Sequence, residues 1–132
     1  MGNTAQTPDV KPENHLPLTP TVFHILLALA DEDRHGYGII QEVKLRTEDG
    51  VHLMAGTLYG AIKRLLERGL ILETDDRPDP ELDDERRRYY RLTDFGQRVL
   101  AAEVARLEEQ VRQARNKQLM PTNSPAQVAV VI

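Results

Sequence analysis

Apolar residues recur along this chain in distinct rhythms, and each rhythm predicts a different element. In Met54–Leu70, Leu58, Ile62 and Leu65 repeat at i, i+4 and i+7, one face of a helix. Thr57, Gly60, Lys63, Arg64 and Glu67 fall away from that face, and Gly69 stands where a helix wants its left-handed terminal residue. The result is an amphipathic helix with a small, hydroxylated, basic outer surface. Gly56, Thr57, Gly60 and Ala61 leave the backbone bare near the N-terminal end, where a DNA-recognition helix touches base edges. Taken alone, the stretch reads equally well as an ordinary surface helix.

Upstream, Thr19-Pro20 places a hydroxyl N-cap before proline at the first helical position. Val22, Phe23, Ile25, Leu26, Leu27 and Leu29 then cover most of the circumference, so this helix is buried on more than one side. It fits either a central core helix or one lying between the domain and a partner subunit. Asp31–Gly38 is a polar turn. Tyr37, Ile40, Val43 and Leu45 mark a second helix of about three turns, ended by Glu48-Asp49-Gly50. Val51–Leu53 is a short extended link into the amphipathic helix, which completes a helix-turn-helix pattern.

Downstream, Leu70–Thr74 and Arg88–Leu92 suit strands. The polar, proline-containing stretch between them is too long for a tight turn, so the pair predicts a hairpin with an extended tip, a wing. The returning strand would carry Arg86, Arg87 and Arg88 to a phosphate backbone, although these arginines also suffice to neutralise the acidic tip beside them. Thr93 caps a last helix whose Leu100, Val104, Leu107, Val111 and Ala114 form a heptad-like seam. Glu103, Arg106, Glu108, Glu109 and Arg112 occupy its polar positions. So narrow a stripe wants a partner, either a second copy of the chain or its own domain. The expected fold is mainly α with a small β-hairpin wing: a winged helix-turn-helix plus a C-terminal dimerisation helix. Residues 1–17 form a flexible N-terminal arm, 18–93 the DNA-binding domain, 94–118 the dimerisation helix and 119–132 a flexible tail.

Composition trims the functional classes. The 132 residues carry 17 basic and 21 acidic side chains, a formal charge of −4, which counts against nucleic acid as a partner. The distribution matters more: the acids crowd into Asp75–Glu85, whereas Lys63, Arg64 and Arg68 face only Glu67. With no cysteine there is no disulfide framework and no thiolate site, which fits a reducing, cytoplasmic location. No apolar run approaches the ~20 residues of a membrane span, and the N-terminus lacks the basic and apolar regions of a signal peptide. The sole serine is Ser124 in the tail. His15, His24, His35 and His52 are scattered, with no metal-ligand spacing. Gly36 and Gly38 lack the strand and the Gly-Lys-Ser/Thr of a phosphate loop. No enzyme, metal or cofactor is expected.

Three stretches, LTPTVFHILLALADEDRHGYGI, GTLYGAIKRLLERGLI and RRRYYRLTDFGQRVLAAE, closely resemble the PadR family of bacterial transcriptional regulators. The likeness runs from about Leu18 to Leu107. It is most specific at His35-Gly36-Tyr37, at Gly56-Thr57-Leu58-Tyr59 followed by Lys63-Arg64-Leu65, and at Arg88-Tyr89-Tyr90 running into Leu92-Thr93. The resemblance implies a homodimeric repressor that binds double-stranded DNA at a near-palindromic operator. It resembles the short subfamily, in which the N-terminal helix and a single C-terminal helix build the dimer. Carried over by motif, Tyr37, Thr57, Tyr59 and Lys63 would face DNA, Arg64 would reach phosphate, and Arg86, Arg87 and Arg88 would reach the backbone or minor groove. Phe23, Leu100, Val104, Leu107 and Val111 would form the dimer interface. Because some members sense small aromatic molecules there, a small-molecule effector is a possible partner, although this chain has no tryptophan. Two rival readings follow: a sensor built around a pocket at the dimer interface, and a winged-helix protein-interaction module that has lost DNA binding.

Overall fold

The computed structural model describes residues 11–75 and 88–119. A 3-10 turn (Pro12–His15) leads into α1 (Pro20–Ala28), β1 (Arg34–His35), α2 (Gly36–Arg46), α3 (Ala55–Glu67), β2 (Ile71–Thr74), β3 (Tyr89–Leu92) and α4 (Asp94–Asn116). Thr19 Oγ1 accepts from the Val22 amide at 3.2 Å and so caps α1, as its Thr-Pro start predicts. This helix takes the central place, packing on α2, α3 and α4 with Ile25, Leu26 and Ala28 out of solvent, while Phe23 is partly buried at the core's edge.

The stretch read as a polar turn contains β1, which pairs antiparallel with β3 (Arg34 opposite Tyr90, His35 opposite Tyr89). The hairpin strands β2 and β3 pair as predicted, Ile71 opposite Leu92 through Thr74 opposite Tyr89. The sheet order is therefore β1-β3-β2, with β3 in the middle. Arg91 fixes the turn before β1 by a two-pronged grip on Asp33 (2.8 and 3.2 Å). Arg34 Nε donates to the Ala28 carbonyl at 2.7 Å, closing the end of α1.

In α2 the buried positions are Gly36, Ile39 and Val43, which places Leu45 and Tyr37 outside, against the expectation that both mark the apolar face. In α3 the buried set is Leu58, Ala61, Ile62 and Leu65. Ala61 thus belongs to the core and not to the bare outer surface, because it lies three residues beyond Leu58 on the same face. Gly69, at φ 74°, ends this helix in the left-handed conformation expected of it.

Thr93 joins α3, the sheet and α4: its hydroxyl donates to the Gly69 carbonyl (2.7 Å) and accepts from the Gly96 amide (2.9 Å). The seam of α4 then divides. Leu100, expected at a dimer interface, is 6% exposed and belongs to the domain's own core, because it lies within the first two turns that pack on α1 and β3. Val104 and Val111 are exposed and Leu107 half-exposed, and residues 108–113 stand in solvent.

Glu103, expected among the polar outward positions, is only 2% exposed. Its carboxylate receives Arg106 through two bonds (2.8 and 2.7 Å) and the Leu18 amide as well. The Arg106 contact, against the opposing effect of burial, holds this carboxyl below the usual range. That bond also explains why residues 11–17 depart from the expected flexible arm. The 3-10 turn packs on α4, His15 meets Phe95 edge-on at 5.4 Å, and Leu16 and Leu18 rest on the core. Residues 1–10 of the arm, the wing tip (76–87) and the tail beyond Leu119 lie outside the described residues.

A second polar cluster ties α1 to α2. Arg46 grips Glu42 (2.8 and 2.9 Å), approaches His24 Nδ1 at 3.1 Å and donates to the His24 carbonyl at 3.3 Å. Arginine has no acceptor, so His24 Nδ1 must carry a lone pair. Burial first, then the Arg46 charge, lowers the His24 pKa from 6.5, and Glu42 opposes them. The folded chain consequently binds fewer protons than the unfolded one, so stability is full above about pH 6.5 and declines as pH falls from there towards the folded value. Urea midpoints should drop between about pH 7.5 and about pH 5.5. His24→Asn, which keeps an acceptor but cannot titrate, should flatten that drop; an unchanged drop would assign it to other groups.

Candidate nucleic-acid interface

The outer face of α3 is set by the burial of its inner one. Once Leu58, Ala61, Ile62 and Leu65 enter the core, Thr57, Lys63, Arg64 and Arg68 are left exposed, as their positions in sequence predict. The leading end is open. A Cβ on Gly56 would meet nothing within 4 Å, and Met54, the N-cap residue, supplies no side-chain cap. The first-turn amides of α3 thus add the positive end of the helix dipole to the same region.

The arginines and lysines of the domain fall into two groups. Arg34, Arg46, Arg91 and Arg106 are tied to Asp31 and Glu32, Glu42, Asp33, and Glu103 respectively. These side chains hold the fold. Lys63, Arg64 and Arg68 make no ion pair among the described residues and concentrate within about two turns of α3. Arg64 lies back along its own helix, its Nη1 3.7 Å from where a Cβ on Gly60 would sit. Sequence reasoning placed Arg91 with the wing's basic run, but its bond to Asp33 makes it a brace for the sheet.

Tyr37 is 56% exposed at the start of α2, and its ring runs parallel to His35. Tyr59 is 50% exposed but leans on α2: its phenol fills the space that a side chain at Gly36 would occupy. Its charge acts on Tyr90, so it faces the sheet as well as solvent. Of the wing arginines, Arg88 is described. It is 72% exposed and bonds Glu73 across the hairpin at 3.0 Å, a surface pair worth about 0–1 kcal/mol that a phosphate can displace. Arg86 and Arg87 lie outside the described residues. α2, α3 and the root of the wing therefore bring Tyr37, Tyr59, Thr57, Lys63, Arg64 and Arg88 into one structural unit. Phe23, Val104, Leu107 and Val111 belong to the first and last helices.

Sequence reasoning missed His35. It caps α2 through Nδ1, which accepts from the Gly38 amide at 3.0 Å, and it meets Tyr89 edge-on at 5.2 Å. A histidine three residues before an exposed helical position, next to glycine, was the available signal. No group of three or more potential metal ligands occurs among the described residues, and no described helix is long and apolar enough to cross a membrane.

Residues 25–102 match the transcriptional regulator PadR-like family. Among solved structures, the fold is similar to a transcriptional regulator from Clostridium thermocellum (26% identity, TM-score 0.62), covering 76% of this chain and 90% of that one. It is also similar to a PadR family transcription regulator from a hypervirulent Clostridium difficile (28% identity, TM-score 0.57), covering 77% of this chain and all of that one. A third likeness, in fold alone, is to Bacillus subtilis PadR in complex with operator DNA (23% identity, TM-score 0.54). It covers 67% of this chain and 48% of that one.

Proposed function

The chain belongs to the PadR-like family of transcriptional regulators, not to an enzyme class, and from that premise we propose that it is a sequence-specific DNA-binding repressor acting as a homodimer in the cytoplasm. One observation carries the reading: the cations of α3 stand unpaired on an open helical face, whereas the arginines elsewhere in the domain's core are committed to internal carboxylates. Thr57, Tyr59 and Lys63 read base edges from α3. Arg64, Arg88 and the two arginines before it hold phosphate. The operator-bound state of Bacillus subtilis PadR supports the same role here.

The dimer is built on the outer half of α4. Val104, Leu107 and Val111 continue the heptad past the point where Leu100 enters the core, and Phe23 borders them from α1. Two-fold pairing would set the recognition helices roughly 34 Å apart, one turn of duplex. In these terms residues 18–93 bind DNA and 94–118 dimerise.

Selection from a randomised duplex library, followed by fluorescence anisotropy over a range of salt, tests the reading. The expected outcome is an enriched near-palindrome bound well over random duplex, with a steep salt slope, by a species sedimenting at twice the chain mass. No enriched sequence, together with no binding at low salt, would replace it with the protein-interaction reading.

A further inference from the structure

Tyr37 stands largely in solvent, yet its ring is braced on two sides. Its hydroxyl accepts from Gln41 Nε2 at 3.0 Å. Its ring plane lies within 1° of the His35 imidazole, centroids 6.5 Å apart, an offset parallel arrangement. His35 is itself fixed. Because Nδ1 takes the Gly38 N–H, turning the ring would uncap α2. On its other side the ring meets Tyr89 edge-on (5.2 Å, 89°), and its backbone pairs with that residue in the sheet. Tyr89 is buried at the root of the wing. One imidazole thus touches the capped end of α2, the wing and the exposed phenol.

We infer that His35 is a positioning residue for DNA recognition, holding Tyr37 in the orientation in which it meets a duplex and registering it against the wing. The inference rests on the DNA-binding reading above. A freely turning tyrosine must give up its rotamers on binding, and a braced one has already done so. His35 therefore acts through Tyr37 and needs no contact of its own with the duplex.

A double-mutant cycle tests it, with His35→Asn, Tyr37→Ala and the pair measured on the duplex selected by the wild-type protein. Asparagine is among the best capping residues, so α2 stays capped while the imidazole is lost. His35→Asn should weaken binding about three- to tenfold with little change in thermal midpoint, and should cost nothing further in the Tyr37→Ala background. Equal losses in both backgrounds, or no loss at all, would overturn the inference. The Tyr37 ring protons give a readout without DNA: His35→Asn should shift their resonances, and unchanged resonances would also overturn it. If no duplex is selected, the DNA-binding reading fails, and the ring protons alone decide whether His35 holds Tyr37. Should His35→Asn not fold, His35→Ser, another capping residue, replaces it in every arm.

Discussion

Alanine at Gly96 should cost the fold about 2–3 kcal/mol, a lowering of the urea midpoint with little change in slope. An added Cβ would run into the Leu70 carbonyl oxygen, with the carbonyl carbon at 2.9 Å and Leu92 Cδ1 at 3.0 Å. Leucine can give way, but the carbonyl cannot, since it also accepts from the Thr93 amide at 3.1 Å. Relief requires α4 to move off the hairpin, breaking the Thr93 bonds to Gly69 and Gly96 that hold the two together. Replacing a helical glycine with alanine ordinarily gains up to about 1 kcal/mol, too little to offset such a collision. Gly56→Ala is the matched control. It too lies in the first turn of a helix, with nothing within 4 Å, and should leave stability unchanged or slightly raised. If Gly96→Ala matched Gly56→Ala, the close approach of α4 to Leu70 would be wrong.

The second large effect concerns Lys63. Its removal should weaken binding to the selected duplex about ten- to a hundredfold, the worth of one good base contact. It should weaken binding to random duplex far less. Arg64→Ala should instead lower affinity for every sequence alike and flatten the salt slope, the signature of a lost phosphate contact. The two are neighbours on an exposed face and neither has an ion-pair partner among the described residues, so both changes should leave the fold intact. Lys117→Ala, at the far end of α4, controls for net charge. Normal binding by Lys63→Ala would remove α3 from the groove.

The elements readable in advance were those whose causes are local. The stripe of Leu58, Ile62 and Leu65, the caps at Thr19 and Thr93 and the stop at Gly69 each depend on residues within a few positions, and each stands in the fold as expected. The misreadings share a remote cause. Two residues at 34 and 35 become a strand because β3 offers its edge from more than fifty positions away along the chain. Glu103 looks like a surface acid by helical period, and only the arrival of Leu18 and the 3-10 turn buries it. Leu100 carries the same heptad mark as Val104, and period cannot say where along a stripe one's own domain ends and a partner begins. For the candidate interface, the exposure of Thr57, Lys63 and Arg64 followed from pattern, whereas the lean of Tyr59 onto Gly36 and the bond between Arg91 and Asp33 required the fold.

The central place of β3 sets an order of events during synthesis. β1 and β2 leave the ribosome first, and neither has any other strand to pair with in the sheet. Both must wait for Tyr89–Leu92, the last strand made, and Thr93 must follow before α4 can be docked. The helix-turn-helix half is therefore not an autonomous module, and a nascent chain arrested before Tyr89 exposes two unpaired strands at once. Contacts so distant in sequence favour slower folding than the helical content suggests. They also make the emerging chain a natural client for a chaperone until residue 93 has cleared the exit tunnel.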